Sequence, residues 1–119
     1  VAREDGTYAY CELRADMPIE AFLPYAAEKQ EQAKQEGGIR EEEVSPLLFV
    51  SCLPWLEYTA LAQPVPLPAD SNPRITWGKY FERDGRTLLP MTVLVNHALV
   101  DGKHISDFYG ELTKRLNRI

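Results

Sequence analysis

The sequence predicts an α+β fold, a mixed and largely antiparallel sheet backed by helices. Three features carry that expectation. Residues 18–36 and the stretch from Lys103 to the end repeat apolar side chains at helical spacing. Strand-like runs lie before and between them, including the continuous apolar stretch 47–53. Asp84-Gly85, set between two alternating segments, is a strong hairpin signal.

Taken in order, residues 1–6 are polar and read as a turn, and residues 7–14, rich in β-formers, as a strand. Asp16 offers a helix N-cap and Pro18 suits a first turn. The helix over 18–36 uses Ile19, Phe22, Leu23, Ala26 and Ala33 as its apolar positions, with Pro24 as a source of a kink. Its second half is a solvated face with i,i+4 partners, and Gly37-Gly38 ends it. Arg40-Glu41-Glu42-Glu43 reads as an exposed acidic loop. Residues 47–53 suit a buried strand, Pro54-Trp55 interrupts it, and 56–61 resumes in extended form. Residues 63–73, with four prolines, form a loop within the fold. Residues 74–83 alternate as a strand, and 88–96 returns as its hairpin partner, with Pro90 near the start. In the last helix Ile105, Phe108, Tyr109, Leu112 and Leu116 are the apolar positions, and Lys114, Arg115 and Arg118 suit its negative end. The order is β-α-β-β-β-α.

At 119 residues and 45% hydrophobic content, the chain is read as a single domain over 1–119. A net charge of −5 leaves no basic stripe, so no nucleic acid or anionic membrane is expected as a partner. No apolar run approaches the roughly 18 residues of a membrane span, and no signal peptide precedes the first strand. Cys11 and Cys52 have neither metal nor redox spacing; they read as buried thiols of a reducing compartment, and the expected location is the cytoplasm. The chain begins at Val1, without an initiator Met.

The chemistry concentrates at the end of the apolar run before Asn96-His97-Ala98-Leu99-Val100-Asp101-Gly102-Lys103-His104. His97 sits where a strand meets a turn, and an imidazole is the usual side chain for taking a hydroxyl proton at neutral pH. Asp101 could orient that ring or brace its loop, and Gly102 permits backbone that a β-carbon would penalise. Two other readings stand beside this one. His97 could simply satisfy backbone groups at a strand end. His97, Asp101 and His104 could form a zinc site, but the spacing is not that of a metal helix, and no metal is expected. Ser51 and Ser106 lack a nucleophile elbow, and no glycine-rich phosphate loop is present.

The same segment resembles the H-H-x-x-x-D-G-x-H signature of the chloramphenicol acetyltransferases, within the wider CoA-dependent acyltransferases. Phe49-Val50-Ser51, Pro54-Trp55 and Tyr58-Thr59 resemble the family's F-x-V-S-x-x-P-W-x-x-F-T segment; Ile75-Thr76-Trp77-Gly78-Lys79-Tyr80 resembles F-T-M-G-K-Y; Leu89-Pro90-Met91 resembles L-M-P-L. Together these matches cover about residues 47 to 112, in the right order. The resemblance implies the CoA-dependent acyltransferase fold, incomplete in this chain, which would correspond to the C-terminal half of a family member. It implies acetyl-CoA as co-substrate with no bound cofactor, a small hydroxyl-bearing acceptor, an antibiotic-resistance role of the chloramphenicol type, and a homotrimer with active sites between subunits. His97 would be the general base. Asp101 would hold the active-site loop by pairing with an upstream Arg, with Gly102 beside it. Thr76 would arrange water near the tetrahedral intermediate, and Trp55, Tyr58, Ala60 and Trp77 would be candidates for the substrate pocket. Three departures accompany the match. Asn96 takes the first position of the His pair. Ala60 replaces the serine whose hydroxyl donates to the oxyanion. The family's N-terminal elements, including the Arg partner of Asp101, have no counterpart here. Two functions are therefore expected: an acetyl-CoA-dependent O-acetyltransferase, or a non-catalytic ligand-binding or assembly module on the same fold.

Overall fold

The structure is a computed structural model and describes residues 1–35 and 46–119. The chain divides into two compact units, Val1–Val44 and Ser45–Ile119. The expected helix stop at Gly37-Gly38 and the acidic loop at 40–43 lie outside the described residues.

Among the described residues the first unit carries one helix, α1 (Ile19–Gln35), close to its expected bounds and with Pro24 inside it. Asp16 does not cap it. Its carboxylate is taken by Arg14, at 3.2 and 2.6 Å, while the Pro18 carbonyl receives Ala21 and Phe22 N–H at the helix start. The solvated half is laced by Gln32 to Glu28 and Lys34 to Glu31, as the charge spacing predicts. The expected strand over 7–14 is absent. A strand needs a neighbour for its N–H and C=O groups. Here the segment folds back on the first residues instead, through an isolated Ala2–Tyr8 bridge and the Val1 amino group donating to Ala9 carbonyl at 2.6 Å.

The second unit holds two small sheets and one helix. Strands β1 (Phe49–Leu53), β2 (Arg74–Gly78) and β5 (Met91–Leu94) form a sheet in the order β1-β2-β5, with β1 parallel and β5 antiparallel to β2. Strands β3 (Phe81–Arg83) and β4 (Arg86–Leu88) form the hairpin around Asp84-Gly85. Both turn residues have positive φ, 53° and 69°, which matches the right-handed twist of the strands they join. The fold is thus α+β with a mixed sheet, as expected. One long hairpin was expected, however, and two short pairs are found. Gly78 N–H donates to Pro90 carbonyl at 3.0 Å, but Pro90 has no N–H to return, and Lys79 N–H turns to Leu56 carbonyl at 2.7 Å. The ladder breaks there.

Within the run 47–53, Phe49–Leu53 is a strand, but not a buried one. Among the described residues β1 pairs with β2 alone, so it is an edge strand; Val50 is 54% exposed and Cys52 is exposed. Cys11 is half-buried. The expectation of two buried thiols fails, because periodicity places a residue on a face without saying what covers that face. Residues 56–61 carry no regular structure. Helix α2 (Gly102–Leu116) meets the sheet through the Tyr109 hydroxyl, which donates to Met91 carbonyl at 3.1 Å. Burial and the neighbouring Tyr58 phenol raise the Tyr109 phenol above its ordinary value, keeping it a neutral donor.

Candidate active site at the end of β5

Beyond Leu94 the chain makes a tight turn organised by Asn96. Its Oδ1 accepts from Ala98 N–H at 3.0 Å, and its carbonyl accepts from Leu99 and Val100 N–H at 3.0 and 3.1 Å. Its Nδ2 donates to Asp70 carbonyl at 3.1 Å, which ties the turn to the proline-rich loop. That loop is itself clamped. Both Asp70 carboxylate oxygens accept from Arg74, at 2.9 and 2.7 Å, and the guanidinium lies 5.0 Å over the Phe49 ring. Hydrogen bonding by Arg74 holds the Asp70 carboxyl below the usual carboxylate range.

The turn presents His97 exposed at its corner. Its Nδ1 lies 3.1 Å from Val100 carbonyl, which can only accept, so Nδ1 carries a proton and, in the neutral ring, Nε2 is the acceptor. Asp101 does not touch this ring. It caps α2, its Oδ1 accepting from Lys103 and His104 N–H at 3.0 and 3.3 Å, and His104 Nδ1 accepts in return from Asp101 N–H at 3.2 Å. Gly102 opens the helix without a left-handed φ, and a Cβ there would meet nothing within 4 Å; its expected conformational role is not used.

A second cluster lies on the β1-β2-β5 sheet. Register places Ser51, Thr76 and Thr92 side by side on one face. Thr76 is 2% exposed, its hydroxyl accepting from Gln63 Nε2, while the Tyr58 hydroxyl donates to Thr76 carbonyl at 2.9 Å and accepts from Thr92 at 3.3 Å. The Tyr58 ring packs over Gly78, where a Cβ would sit 2.9 Å from Cε1 and collide with Leu56 carbonyl oxygen. Thr76 is therefore covered, and an open hydroxyl for positioning water requires Gln63 to move aside. The expected pocket residues do not gather. Tyr58 lies over the Thr76 face, Trp77 faces the opposite side of β2, and Trp55 and Ala60 are exposed. Among the described residues, no group of three or more His, Cys, Asp or Glu could hold a metal ion.

Sequence reasoning missed Asp70, Arg74 and Gln63 and understated Asn96. Within the loop 63–73, Asn72 N–H donates to Asp70 Oδ1 at 3.2 Å, a local turn of the Asx kind. No local signal joins Asp70 to Asn96, 26 residues on.

Comparison with known proteins gives consistent findings. The profile of the family "chloramphenicol acetyltransferase" matches residues 4–113, so the likeness is not confined to the C-terminal part of this chain. A chloramphenicol acetyltransferase of Clostridium perfringens is 44% identical over 63 residues, 52% of this chain and 29% of the relative. Chloramphenicol acetyltransferase 3 of Escherichia coli is 29% identical over 118 residues, 97% of this chain and 55% of the relative. A solved chloramphenicol acetyltransferase superposes with a TM-score of 0.78 at 23% identity, over 90% of this chain and 54% of that one, a likeness of fold. The chain spans about half or less of the length of the relatives it matches.

Proposed function

The chain belongs to the chloramphenicol acetyltransferase family, and on that premise we propose that it carries the catalytic base of an acetyl-CoA-dependent O-acetyltransferase. The observation that supports this most is the state of His97. It is exposed at a strand end, with Nδ1 engaged by Val100 carbonyl and Nε2 left as an acceptor. In the proposed reaction Nε2 takes the proton of the acceptor hydroxyl as its oxygen adds to the thioester carbonyl carbon. Collapse of the tetrahedral adduct breaks the C–S bond, and the imidazolium returns the proton to the departing CoA thiolate. The products are the acetyl ester and free CoA. Acetyl-CoA is a co-substrate here, not a resident cofactor, and the acceptor is a small hydroxyl compound of the chloramphenicol kind. We place the reaction in the cytoplasm, residues 1–119 within a single domain, and active sites between the subunits of a homotrimer.

Asp101 braces the base's turn by capping α2, and Thr76 belongs to the hydroxyl cluster on the β1-β2-β5 sheet. Ala60 brings no oxyanion donor, and loss of one such donor costs about a hundred- to a thousand-fold in rate. That substitution favours a second reading, a ligand-binding or assembly module without turnover.

The test is thiol release from acetyl-CoA by the full-length protein with chloramphenicol as acceptor. Acceptor-dependent release that disappears in His97→Ala is expected. Undiminished release in that variant overturns the role of His97, and robust wild-type turnover excludes the non-catalytic module.

A further inference from the structure

His97 and His104 are held by the same peptide group. Val100 carbonyl receives His97 Nδ1–H at 3.1 Å, and the N–H of the next residue, Asp101, donates to His104 Nδ1 at 3.2 Å. These are the two ends of one planar amide. We propose that His104 is a positioning residue for His97, acting through the Val100–Asp101 peptide that both imidazoles grip. The proposal rests on the reading of His97 as the base, and it assigns a task to a histidine that would otherwise only close a helix cap.

Hydrogen bonds in a chain polarise one another. Accepting the Asp101 N–H makes the Val100 carbonyl a better acceptor, which favours the His97 tautomer with its proton on Nδ1. It also fixes the plane of the peptide, and so the direction of the carbonyl. At this third position of a helix the residue closing a capping box is ordinarily Glu or Gln, which reaches back to the cap N–H. Here an imidazole nitrogen does the same. The cap is reciprocal, since His104 N–H donates to Asp101 Oδ1 at 3.3 Å. His104 Nδ1 is also 3.1 Å from Asp101 Oδ1, so the ring accepts from the peptide only in the tautomer that leaves Nδ1 without a proton; a proton on Nδ1 would be donated to that carboxylate instead. The adjacent charges on α2, Lys103 and Asp107, are spent on each other at 2.5 and 2.6 Å.

The experiment compares His104→Leu and His104→Asn with wild type in the full-length protein. Leu removes the acceptor; Asn places Oδ1 where Nδ1 stood. In His104→Leu kcat is expected to fall roughly three- to ten-fold, the equivalent of one net hydrogen bond. KM for acetyl-CoA and for the acceptor should stay within about two-fold, because substrate contacts are untouched. His104→Asn should recover most of the loss. NMR of the ring nitrogens should find His97 protonated on Nδ1 in wild type and His104→Asn, and a mixture of tautomers in His104→Leu. An unchanged kcat or tautomer in His104→Leu overturns the proposal, as does a His104→Asn variant impaired as much as His104→Leu. If His97→Ala keeps full turnover, the base assignment falls instead, while the tautomer measurement still reports on the peptide link.

Discussion

The residues that matter most to the site divide into those whose neighbours explain them and those explained only by distant partners. Gly78 is of the second kind. A methyl group there would collide with Leu56 carbonyl oxygen and crowd the Tyr58 ring, so Gly78→Ala is expected to cost about 1–3 kcal/mol by overpacking, read from denaturant midpoints. An unchanged midpoint would contradict the packing described. Asp70 makes a pH-dependent contribution. Its carboxyl is held below the ordinary range by Arg74, so the clamp stabilises the fold above about pH 4 and fades as pH falls through the lowered value. The Tm difference between wild type and Asp70→Asn should hold steady from about pH 7 to about pH 5 and then close as the acid is protonated. A difference that persists into strong acid would mean that Asp70 acts through its shape rather than its charge. His97 itself was legible at once, since an imidazole at the end of an apolar run stands out. Its engaged nitrogen was not, because Val100 reaches it through the shape of a turn.

At the scale of elements, local pattern served the helices well and the strands unevenly. Helix α2 begins at Gly102, one residue before the start that the helical spacing places at Lys103, and its Asp101 cap should be measurable alone. Asp101→Ala is expected to cost about 0.5–2 kcal/mol and Asp101→Asn far less, compared by thermal unfolding. Equal losses in the two variants would indicate that the charge, rather than the accepted hydrogen bonds, does the capping. The Asp84-Gly85 hairpin needs nothing but its two turn residues and was readable for that reason. The long hairpin expected either side of it does not form, because Pro90 has no N–H to return and Leu56 enters from another part of the chain to take Lys79 N–H. Residues 7–14 have the composition of a strand but, among the described residues, make only the isolated Ala2–Tyr8 bridge; β propensity describes a fit to a sheet rather than a backbone habit.

At the scale of the molecule, the described residues bury little apolar surface. Ala9 and Ala26 are the only hydrophobic side chains among them that are buried, while Trp55, Leu56, Val65 and Leu67 remain open. The proposed homotrimer would cover some of that surface, so Tm should rise with protein concentration. A Tm that does not move over a roughly hundred-fold dilution would count against assembly. The sequence by itself determined the α+β class, both helices, the tight hairpin, the order of the family motifs and the place of His97, because each rests on periodicity, turn chemistry or residue type within a few positions. Only the tertiary structure decided that Asn96 is anchored to Asp70, that Gln63 covers Thr76, that Trp77 and Tyr58 lie apart, and that one peptide joins His97 to His104. Most of those outcomes depend on contacts between segments far apart in the chain, and the last on hydrogen-bond directions set by a turn; neither is written in the spacing of residues.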